Sequence, residues 1–497
     1  MRLLLLTACC LGIGIVAPVV AGDSQTIGER GPSTTTAPFL QPLVSDVSFV
    51  SLLTSGDAVG QKPDGAPWRM VGFPDGLGAF DNGDGTITVL MNHEVTARQP
   101  GAVRAHGANG AFVSRLVIDK ASLRVVAASD LATEIHGYDP TTKSYAKSGA
   151  PLFKLCSGDL AAGTAFYDPQ TGRGYQGRIF MSGEEVDYDG RAFAHFVTGP
   201  NAAQSWQLPA LGRMAFENLV AHPAAGEKTI VGMMDDSRRK GEVYFYVGEK
   251  QAVGAPVARA GLANGRLYAV RASRMAIENA DDETSPSGAA RSIPFEMADL
   301  GDVSALSGAE LDSASKSAGA TAFFRPEDGA WDRVDPNRFY FNTTADFNSP
   351  SRVWALDFRD FRHPEAGGAL RLIYQTGKND QHMLDNMTVT KDGLLILQED
   401  PGETPYLARI HLLDPRSATP AAIPIATHDP ALFGPGGLTT AEESSGVLDV
   451  TELFGSDDRR TFLLTVQAHG AVPADAAVAA EVIEAGQLLL MRKKDLR

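Results

Sequence analysis

The chain has 497 residues, too many for one ordinary compact core, so we expect two or three domains or one large repeat architecture. Hydrophobic residues make up 43% and charged residues 21%, and the 51 glycines and 29 prolines are typical of many short strands and turns. The net charge of −16, with no run of Lys or Arg, argues against a nucleic-acid partner and suits either cation binding or simple solubility.

The N-terminus has the pattern of a Sec-type signal peptide. One arginine, Arg2, precedes an apolar stretch that ends in small residues around Ala21. We therefore predict a signal peptide over residues 1–21, cleavage near Ala21, and a periplasmic or secreted protein. Lipid attachment at Cys9 is the less favoured alternative, because the apolar segment continues beyond it. No other stretch is apolar enough over sufficient length to span a bilayer, so no membrane span is expected.

The cleaved chain keeps a single cysteine, Cys156, so it can form no internal disulfide. A buried, inert thiol is the simpler interpretation of Cys156, and whether it is a ligand stays open. Residues 22–45 are rich in Ser, Thr, Pro and Gly, which predicts a flexible leader.

After the leader one pattern recurs: a strand, a turn rich in Gly, Asp and Asn, a second strand and a polar cluster. The clearest unit has the strand-like runs MTVT and LLILQ around the turn signal Lys391-Asp392-Gly393. In another unit Glu217-Asn218 parallels Asp385-Asn386, and Asp235-Asp236 parallels Glu399-Asp400. Six units occur, at residues 76–94, 163–185, 215–236, 323–346, 381–402 and 446–470.

Irregular repeats of antiparallel strands predict an all-β fold, a six-bladed β-propeller with loop insertions. Residues 46–497 would form this single catalytic domain, and residues 273–316, which lack strand character, would be an insertion. Since inner strands of a propeller converge on a channel, polar clusters at equivalent strand ends would meet at one mouth. The alternative is that the clusters are ordinary Asp and Asn turn residues, although each unit has separate turn residues at its other end.

The clusters supply carboxylates, amides and a few imidazoles, which suit Ca²⁺ and Mn²⁺ or Fe better than a thiolate zinc site. Many carboxylates at one axis would repel each other unless cations neutralised them. Arg325 could hold an anionic group through its planar guanidinium, or it could form a surface salt bridge with Glu327. The candidate metal ligands are Glu94, His93, Glu184, Glu185, Glu217, Asp235, His382, Asp385, Glu399, Asp400 and His469.

The order of these motifs resembles the PhoX-type alkaline phosphatases, a family of secreted bacterial proteins. The resemblance implies a six-bladed propeller and a calcium-dependent phosphoesterase with several metals in its channel. The sequence differs from the expected family pattern at Gly183, where a cysteine is expected before the acidic pair. The motifs are NHE at 92–94, CSGDLAAGTAF at 156–166, SGEE at 182–185, ENL at 217–219, RPED at 325–328, DNMTV at 385–389, QED at 398–400 and VQAHG at 466–470.

The chain is also similar to propeller-type phosphotriesterases, which have a binuclear manganese centre. That resemblance implies catalytic-metal ligands at Glu185, Glu217, His382, Glu399 and His469. Glu94, Asp235 and Asp400 would then bind calcium or support the ligands.

We therefore expect a secreted, metal-dependent phosphoesterase that hydrolyses small-molecule phosphate esters with a metal-activated water. Arg325, Glu399 and His469 are the expected catalytic residues, with Arg325 on the phosphate. The protein is expected to be a monomer. Two alternatives stay open: a non-enzymatic, calcium-stabilised propeller that binds a partner, and a propeller lactonase or carboxylesterase.

Overall fold

Strands dominate the computed structural model, which describes residues 28–237, 240–278, 292–377, 381–455, 459–473 and 475–494. The predicted signal peptide and the first residues of the predicted leader lie outside these ranges. No helix of the described residues has the length and apolar character needed to cross a membrane.

The strands form six blades, which we number in chain order and describe from the channel outward. Pairing is antiparallel within the blades except for one outer parallel pair in blade 2 and one in blade 6. Blade 1 contains Pro74–Asp81, Thr86–His93, Phe112–Asp119 and Val125–Asp130. Blade 2 contains Leu155–Asp159, Ile179–Glu184, Ala192–Phe196, Gln204–Gln207, Glu134–Asp139 and Ser144–Ser148. Blade 3 contains Phe216–Ala221, Lys228–Asp235, Val243–Glu249, Arg266–Ala272 and Ser292–Gly301.

The second half of the chain completes the ring. Blade 4 contains Pro326–Trp331, Arg338–Thr343, Arg352–Phe358 and Gly368–Gln375. Blade 5 contains Leu384–Val389, Leu395–Glu399, Arg409–Leu413, Ala422–His428 and Leu40–Pro42. Blade 6 contains Glu442–Asp449, Arg460–Ala468, Ala485–Lys493, Val47–Thr54 and Glu29–Arg30.

The remaining elements are short. Two small hairpins pair Ala58–Gln61 with Pro67–Arg69 and Tyr167–Asp168 with Arg173–Gly174. The α-helices are Pro256–Arg259, Gly308–Ser317, Thr451–Phe454 and Ala476–Val482, and the 3₁₀ turns are Gly163–Ala165, Asp187–Asp189, Pro209–Leu211 and Pro364–Ala366.

Two features close the ring. The N-terminal strand Val47–Thr54 pairs with the C-terminal strand Ala485–Lys493, so both ends of the described chain share blade 6. Each innermost strand also contacts the innermost strands of both neighbouring blades, and blade 6 meets blade 1 in the same way. Six separate apolar cores fill the spaces between neighbouring blades, one for each pair. The predicted six-bladed, all-β propeller is confirmed.

The turns that the sequence predicted are where they were expected. The run Asp81 to Gly85 joins the first two strands of blade 1, with Gly83 at φ 79° and Gly85 at φ 91°. Asp81 also accepts a hydrogen bond from Gly83 N and forms an ion pair with Lys120, so this calcium-loop-like sequence is a hairpin turn. Gly393 has φ 77° in the corresponding turn of blade 5.

Three local predictions differ from the structure. Residues 28–45, predicted to be part of a flexible leader, contribute strands to blades 5 and 6. Phe39 and Leu40 of this segment are buried. Ser292–Gly301 is a ten-residue strand inside the interval predicted to lack strands, and it pairs with Gly368–Gln375 to link blades 3 and 4. In blade 2 the innermost strand is Leu155–Asp159; the turn at residues 168–172 belongs to a small separate hairpin.

Candidate metal centre in the channel

All six innermost strands contain the same irregularity near their start. In each strand the pairing with the next strand skips two consecutive residues, as in a β-bulge. Bulges re-aim side chains and often lie beside functional sites. The skipped pairs are Asp75-Gly76, Cys156-Ser157, Glu217-Asn218, Glu327-Asp328, Asp385-Asn386 and Ser445-Gly446.

In blades 1 to 5 the first residue of the skipped pair contributes to one cluster in the channel. The cluster contains three overlapping groups of side chains. Within each group, the potential ligand atoms all lie within 4.8 Å of one another. Two of the groups contain the Cys156 thiol, and the third contains carboxyl groups alone. The groups are Asp75, Glu94 and Cys156; Cys156, Glu185 and Glu217; and Glu217, Glu327 and Asp385.

The ends of the second strands supply an outer set of charges. Side chains alternate along a strand, so of two consecutive acids only one can face the channel. At the ends of the second strands of blades 1, 2, 3 and 5 the structure places Glu94, Glu185, Asp236 and Asp400 beside the cluster, and in blade 6 His469 lies beside Glu443. In blade 6 the bulge residue is Ser445, and Glu443 provides the carboxyl group that interacts with Asp75 and Asp385.

Burial and mutual repulsion dominate the electrostatics of the cluster. Burial, followed by neighbouring carboxylates, raises the pKa values of Asp75, Glu217 and Asp385 well above their usual range. Burial also raises the pKa of Glu327 well above its usual range, although Arg325 opposes the shift. Burial raises the pKa of Glu185 to about 7, although Lys154 opposes the shift. Burial also raises the pKa of the Cys156 thiol, with contributions from Asp75 and Glu217. These groups cannot all be ionised together unless a cation compensates them.

Two observations fit divalent cations at this cluster. Asp75 Oδ1 and Asp385 Oδ1 are buried and accept no hydrogen bond from the described residues, which is costly for a carboxyl oxygen without another partner. The all-carboxyl group of Glu217, Glu327 and Asp385 offers the oxygen ligands that Ca²⁺ prefers. The groups that include Cys156 offer a softer sulfur ligand, which suits a transition metal such as Fe better than Ca²⁺.

Three cationic side chains border the cluster and hold fixed positions. Lys154 Nζ lies 2.5 Å from Glu185 and 3.3 Å from Glu94. Burial alone would lower the pKa of Lys154, but these two carboxylates raise it well above its usual value. Lys154 also adopts φ 45°, an uncommon backbone conformation for a residue with a side chain, and such strain often marks functional sites.

Arg325 is the second of these cations and also has a positive φ, 56°. Its Nε and Nη2 donate to the two oxygens of Asp236 at 2.9 and 2.8 Å, and Nη2 lies 2.9 Å from Glu327. The predicted salt bridge with Glu327 is therefore present, together with a bidentate bond to Asp236. Among the described residues Nη1 has no hydrogen-bond partner, so it is free to donate to an anion.

His469 is the third cation. Its Nδ1 lies 2.9 Å from Glu484, and its Nε2 lies 3.2 Å from Glu443. Burial would lower the pKa of His469, but the bonds to Glu443 and Glu484 raise it well above its usual value. An imidazolium that donates through both nitrogens has no lone pair for a metal. In this arrangement His469 balances charge instead of acting as a ligand.

Two further predicted ligands, Glu184 and Asp235, lie on the blade side of their strands. Glu184 forms a bidentate ion pair with Arg191, at 2.6 and 2.7 Å, and accepts a bond from Phe153 N. Asp235 accepts hydrogen bonds from Ala215 N and Ser237 Oγ. The structure does not bring either carboxylate into the cluster.

His382 and Glu399 form a separate group under blade 5. Glu399 is completely buried, accepts bonds from His382 N and Arg409 N, and lies 3.2 Å from His411 Nε2. His382 Nδ1 bonds Phe347 O, and the two rings stack at 4.3 Å.

His93, in blade 1, is buried against Ser114 and Gly72 O, and burial lowers its pKa to about 3.

Several residues of the cluster were not recognised as candidates from the sequence: Asp75, Lys154, Asp236, Glu327 and Glu443. The interpretation of Cys156 as an inert thiol does not fit its contacts, 3.2 Å from Glu217 and 3.5 Å from Asp75. The parallel between Glu217-Asn218 and Asp385-Asn386 was the available signal, since extending it to the other innermost strands finds Asp75, Cys156 and Glu327. A side chain on Gly183 would clash with Phe216, whose Cβ lies 2.3 Å from the ideal Cβ position, so the one thiol of the cluster comes from another strand.

The channel mouth opens beside Arg325 into a cavity of about 460 Å³. Its walls include carboxylates of the cluster, two further acids and small or apolar side chains. The lining residues are Glu185, Asp187, Ala215, Asp236, Arg325, Ala345, Asp346 and Met383. The cavity therefore gives a small molecule access to the edge of the cluster.

Comparisons with known proteins bear on this site. Residues 199–412 match the family model of alkaline phosphatase PhoX. The resemblance to the PhoX-type alkaline phosphatases is confirmed. The fold is similar to that of Pseudomonas fluorescens PhoX in complex with vanadate, a transition state analogue, with a TM-score of 0.65 and 13% identity over 94% of this chain and 98% of that chain.

A second structural match is Trypanosoma rangeli sialidase in complex with the inhibitor DANA, with a TM-score of 0.34, 10% identity, and coverage of 90% of this chain and 59% of that chain. A likeness at that level supports no conclusion. No curated protein matches the sequence. The family match thus concerns residues 199–412, and the structural match concerns the fold.

Proposed function

We propose that the protein is an exported, metal-dependent phosphoesterase of the PhoX type whose reaction takes place at the channel cluster. The observation that carries the proposal is the set of buried, mutually repelling carboxyl groups around Glu217, Glu327 and Asp385, next to an arginine with a free Nη1 group. Export rests on the N-terminal sequence pattern, since the predicted signal peptide lies outside the described residues.

The cluster offers two kinds of metal site. Glu217, Glu327 and Asp385 would hold Ca²⁺, and Cys156 with Asp75, Glu94, Glu185 and Glu217 would hold a transition metal, Fe or Mn. Divalent cations bound there would activate a water molecule and polarise a phosphoryl oxygen. Binding would displace protons from the carboxyls and from the Cys156 thiol, so metal affinity should rise with pH.

The chain's own side chains position the substrate. Arg325 would donate from Nη1 to a phosphate oxygen, and its bonds to Asp236 and Glu327 fix the plane of the guanidinium for this contact. Lys154 and His469 add positive charge at the border of the cluster, which favours an incoming dianion. In the reaction the water oxygen bonds to phosphorus, the ester P–O bond breaks, and the alcohol leaves with a proton from the water.

The proposal is tested with the purified full chain. Metal content would be measured by mass spectrometry, and phosphate release from aryl mono-, di- and triesters would be followed with and without added Ca²⁺ and Mn²⁺. We expect bound metal and metal-dependent phosphate release, and the preferred ester would define the substrate class. Bound calcium without turnover of any ester would contradict the enzyme assignment and favour a structural role for the metal.

Replacing the thiol tests the division between the two sites. Cys156→Ser should lose the transition metal and most activity while it retains calcium, because serine is a poor ligand for the softer ion. Equal loss of both metals would contradict the division.

A further inference from the structure

Blades 1 and 4 each place a buried asparagine against the innermost strand of the next blade. Asn92 and Asn342 occupy the same position, on the second strand opposite the skipped pair of their own blade. Asn92 Nδ2 donates to Cys156 O at 2.7 Å and to the next carbonyl oxygen at 3.2 Å. Asn342 Nδ2 donates to Asp385 O and to the preceding carbonyl oxygen, both at 2.6 Å. Each asparagine therefore uses both amide hydrogens on a strand segment that bulges.

The chemistry of the partners fixes the orientation of both amides. A backbone carbonyl oxygen can only accept a hydrogen bond, so the amide nitrogen and not Oδ1 must face it. Asn92 Oδ1 and Asn342 Oδ1 are buried and accept no hydrogen bond within the described ranges. Both donors are thus directed at the bulges even though two buried acceptors stay unsatisfied, which costs free energy.

In both cases the residue whose carbonyl is bonded is the one whose side chain enters the cluster. Cys156 and Asp385 are the first residues of their skipped pairs, and both belong to the groups of potential metal ligands. Since consecutive side chains of a strand point to opposite faces, a bulge displaced by one residue would turn either side chain away from the channel. A hydrogen bond to the carbonyl of the same residue holds the bulge in register.

The side chains of Cys156 and Asp385 have few other restraints that could persist once a metal is bound. The Cys156 thiol donates to two neighbouring carboxylates, but a sulfur that binds a metal is a thiolate and has no proton to donate. Asp385 Oδ1 accepts no hydrogen bond from the described residues. The bonds to the two carbonyl groups do not depend on the protonation of either side chain, so they remain.

The equivalent position in two other blades shows how general the arrangement is. In blade 6 it is Thr465, whose Oγ1 donates to the carbonyl oxygen of the bulge residue Asp75 at 3.2 Å. In blade 3 it is Met234, which has no donor. The bulge residue of the following blade, Glu327, is held through its side chain by Arg325 instead. A donor at this position is therefore a feature of particular blades and is not required to build a blade.

We propose that Asn92 and Asn342 are positioning residues, each specific to one kind of metal. Asn92 aims the Cys156 sulfur at the transition-metal site, and Asn342 aims the Asp385 carboxylate at the calcium site. Both act through the backbone of the residue that they hold. This inference rests on the proposed function, because it requires that both kinds of metal bind.

The test measures the affinity of the full chain for Ca²⁺ and for Co²⁺, which is a probe of the transition-metal site because a thiolate ligand gives it a charge-transfer absorption band. Asn92→Leu should weaken Co²⁺ binding about tenfold or more and weaken the band, with Ca²⁺ affinity within about twofold of wild type. Asn342→Leu should weaken Ca²⁺ binding about tenfold and leave the Co²⁺ band unchanged. The losses are thus expected to be crossed.

Two kinds of variant control this experiment. Met234→Leu makes a replacement at the equivalent position of blade 3 without removing a hydrogen bond, and both affinities should stay at the wild-type values. Asn92→Thr and Asn342→Thr keep one donor, of the kind that Thr465 supplies in blade 6. They should show the same crossed losses at smaller amplitude, and they decide the question if a leucine variant does not fold.

The outcomes separate this inference from the proposed function. A wild-type chain that binds neither ion would overturn the proposed function and this inference with it. A wild-type chain that binds both ions, with variants that weaken both equally or weaken neither, would overturn this inference alone, since a purely structural role predicts no difference between the two metals.

Discussion

Two sets of carboxylates on the two inner strands of the blades have different surroundings. Glu184 and Glu399 are satisfied by the protein, through Arg191 in one case and through backbone N–H groups and His411 in the other. Glu217, Glu327 and Asp385 lie among other carboxyl groups and share few donors: Glu217 accepts from Cys156 Sγ and Ser157 Oγ, and Glu327 shares Arg325 with Asp236. The difference shows that burial of an acid does not by itself indicate a metal site. An excess of carboxyl groups over the donors that could compensate them is the better indicator.

The largest effect should follow from removing one of the uncompensated carboxylates. Glu217→Gln should lower metal content and reduce kcat/KM by at least about 100-fold. The reason is that replacing a residue that only supports a metal ligand already lowers metal affinity or activity by about 10–100-fold. The measurement is metal content together with phosphate release. A variant that keeps its metal and its activity would show that Glu217 is not a ligand.

Glu184→Gln should lower the stability of the protein but leave its metal content unchanged. It leaves the Arg191 guanidinium without its bidentate partner, so we expect the free energy of unfolding to fall by about 2–3 kcal/mol, less than for a fully buried pair since Arg191 is partly exposed. Denaturant unfolding measures this, and the metal content of the folded protein should stay at the wild-type value. A Glu184→Gln variant that loses metal but keeps its stability would contradict the distinction between the two sets of carboxylates.

An intermediate effect is expected at Arg325. Lysine keeps the charge but cannot maintain a bidentate bond to Asp236 while another nitrogen faces the substrate, so Arg325→Lys should reduce kcat/KM about tenfold or more. Arg333→Lys is a suitable control, because Arg333 forms an exposed ion pair with Glu452. Steady-state kinetics on an aryl phosphate would show whether the two replacements differ, and similar effects would argue against a phosphate contact.

The effect that is smallest near neutral pH concerns His195, a buried group outside the cluster. Burial lowers the pKa of His195 to about 3, and its ring bonds Ser182 and Ser205. Below pH 6.5 the unfolded chain takes up a proton that the folded chain excludes, so stability should fall by about 1.4 kcal/mol per pH unit from this residue as pH drops toward 3. His195→Gln should reduce that slope in unfolding experiments at pH 4 to 7, and an unchanged slope would contradict the assignment.

The sequence predicted the fold well because propeller blades are local. Strand-like runs on both sides of a turn rich in Gly and Asp predict each hairpin, as at Lys391-Asp392-Gly393. The ring as a whole then follows from repetition. The prediction failed where pairing is not local: residues 28–45 join strands from the far end of the chain, and Ser292–Gly301 pairs across two blades.

The candidate site could be predicted only in part. Repetition identified Glu217, Asp385, Glu185 and Asp400 correctly as neighbours on the axis, but it could not say which acid of each consecutive pair faces the channel. Strand alternation decides that, and it requires the exact register. The bulge that turns Asp75 and Cys156 inward likewise has no signature in local propensity.

The most direct test of this account is the metal-to-protein ratio of three purified proteins: the wild type, Glu217→Gln and Glu399→Gln. The account predicts more than one divalent cation per wild-type chain, a clear loss in Glu217→Gln, and the wild-type ratio in folded Glu399→Gln, because Glu399 is bonded to His382 N, Arg409 N and Tyr406. A wild-type chain that binds no divalent cation, or a loss confined to Glu399→Gln, would contradict it.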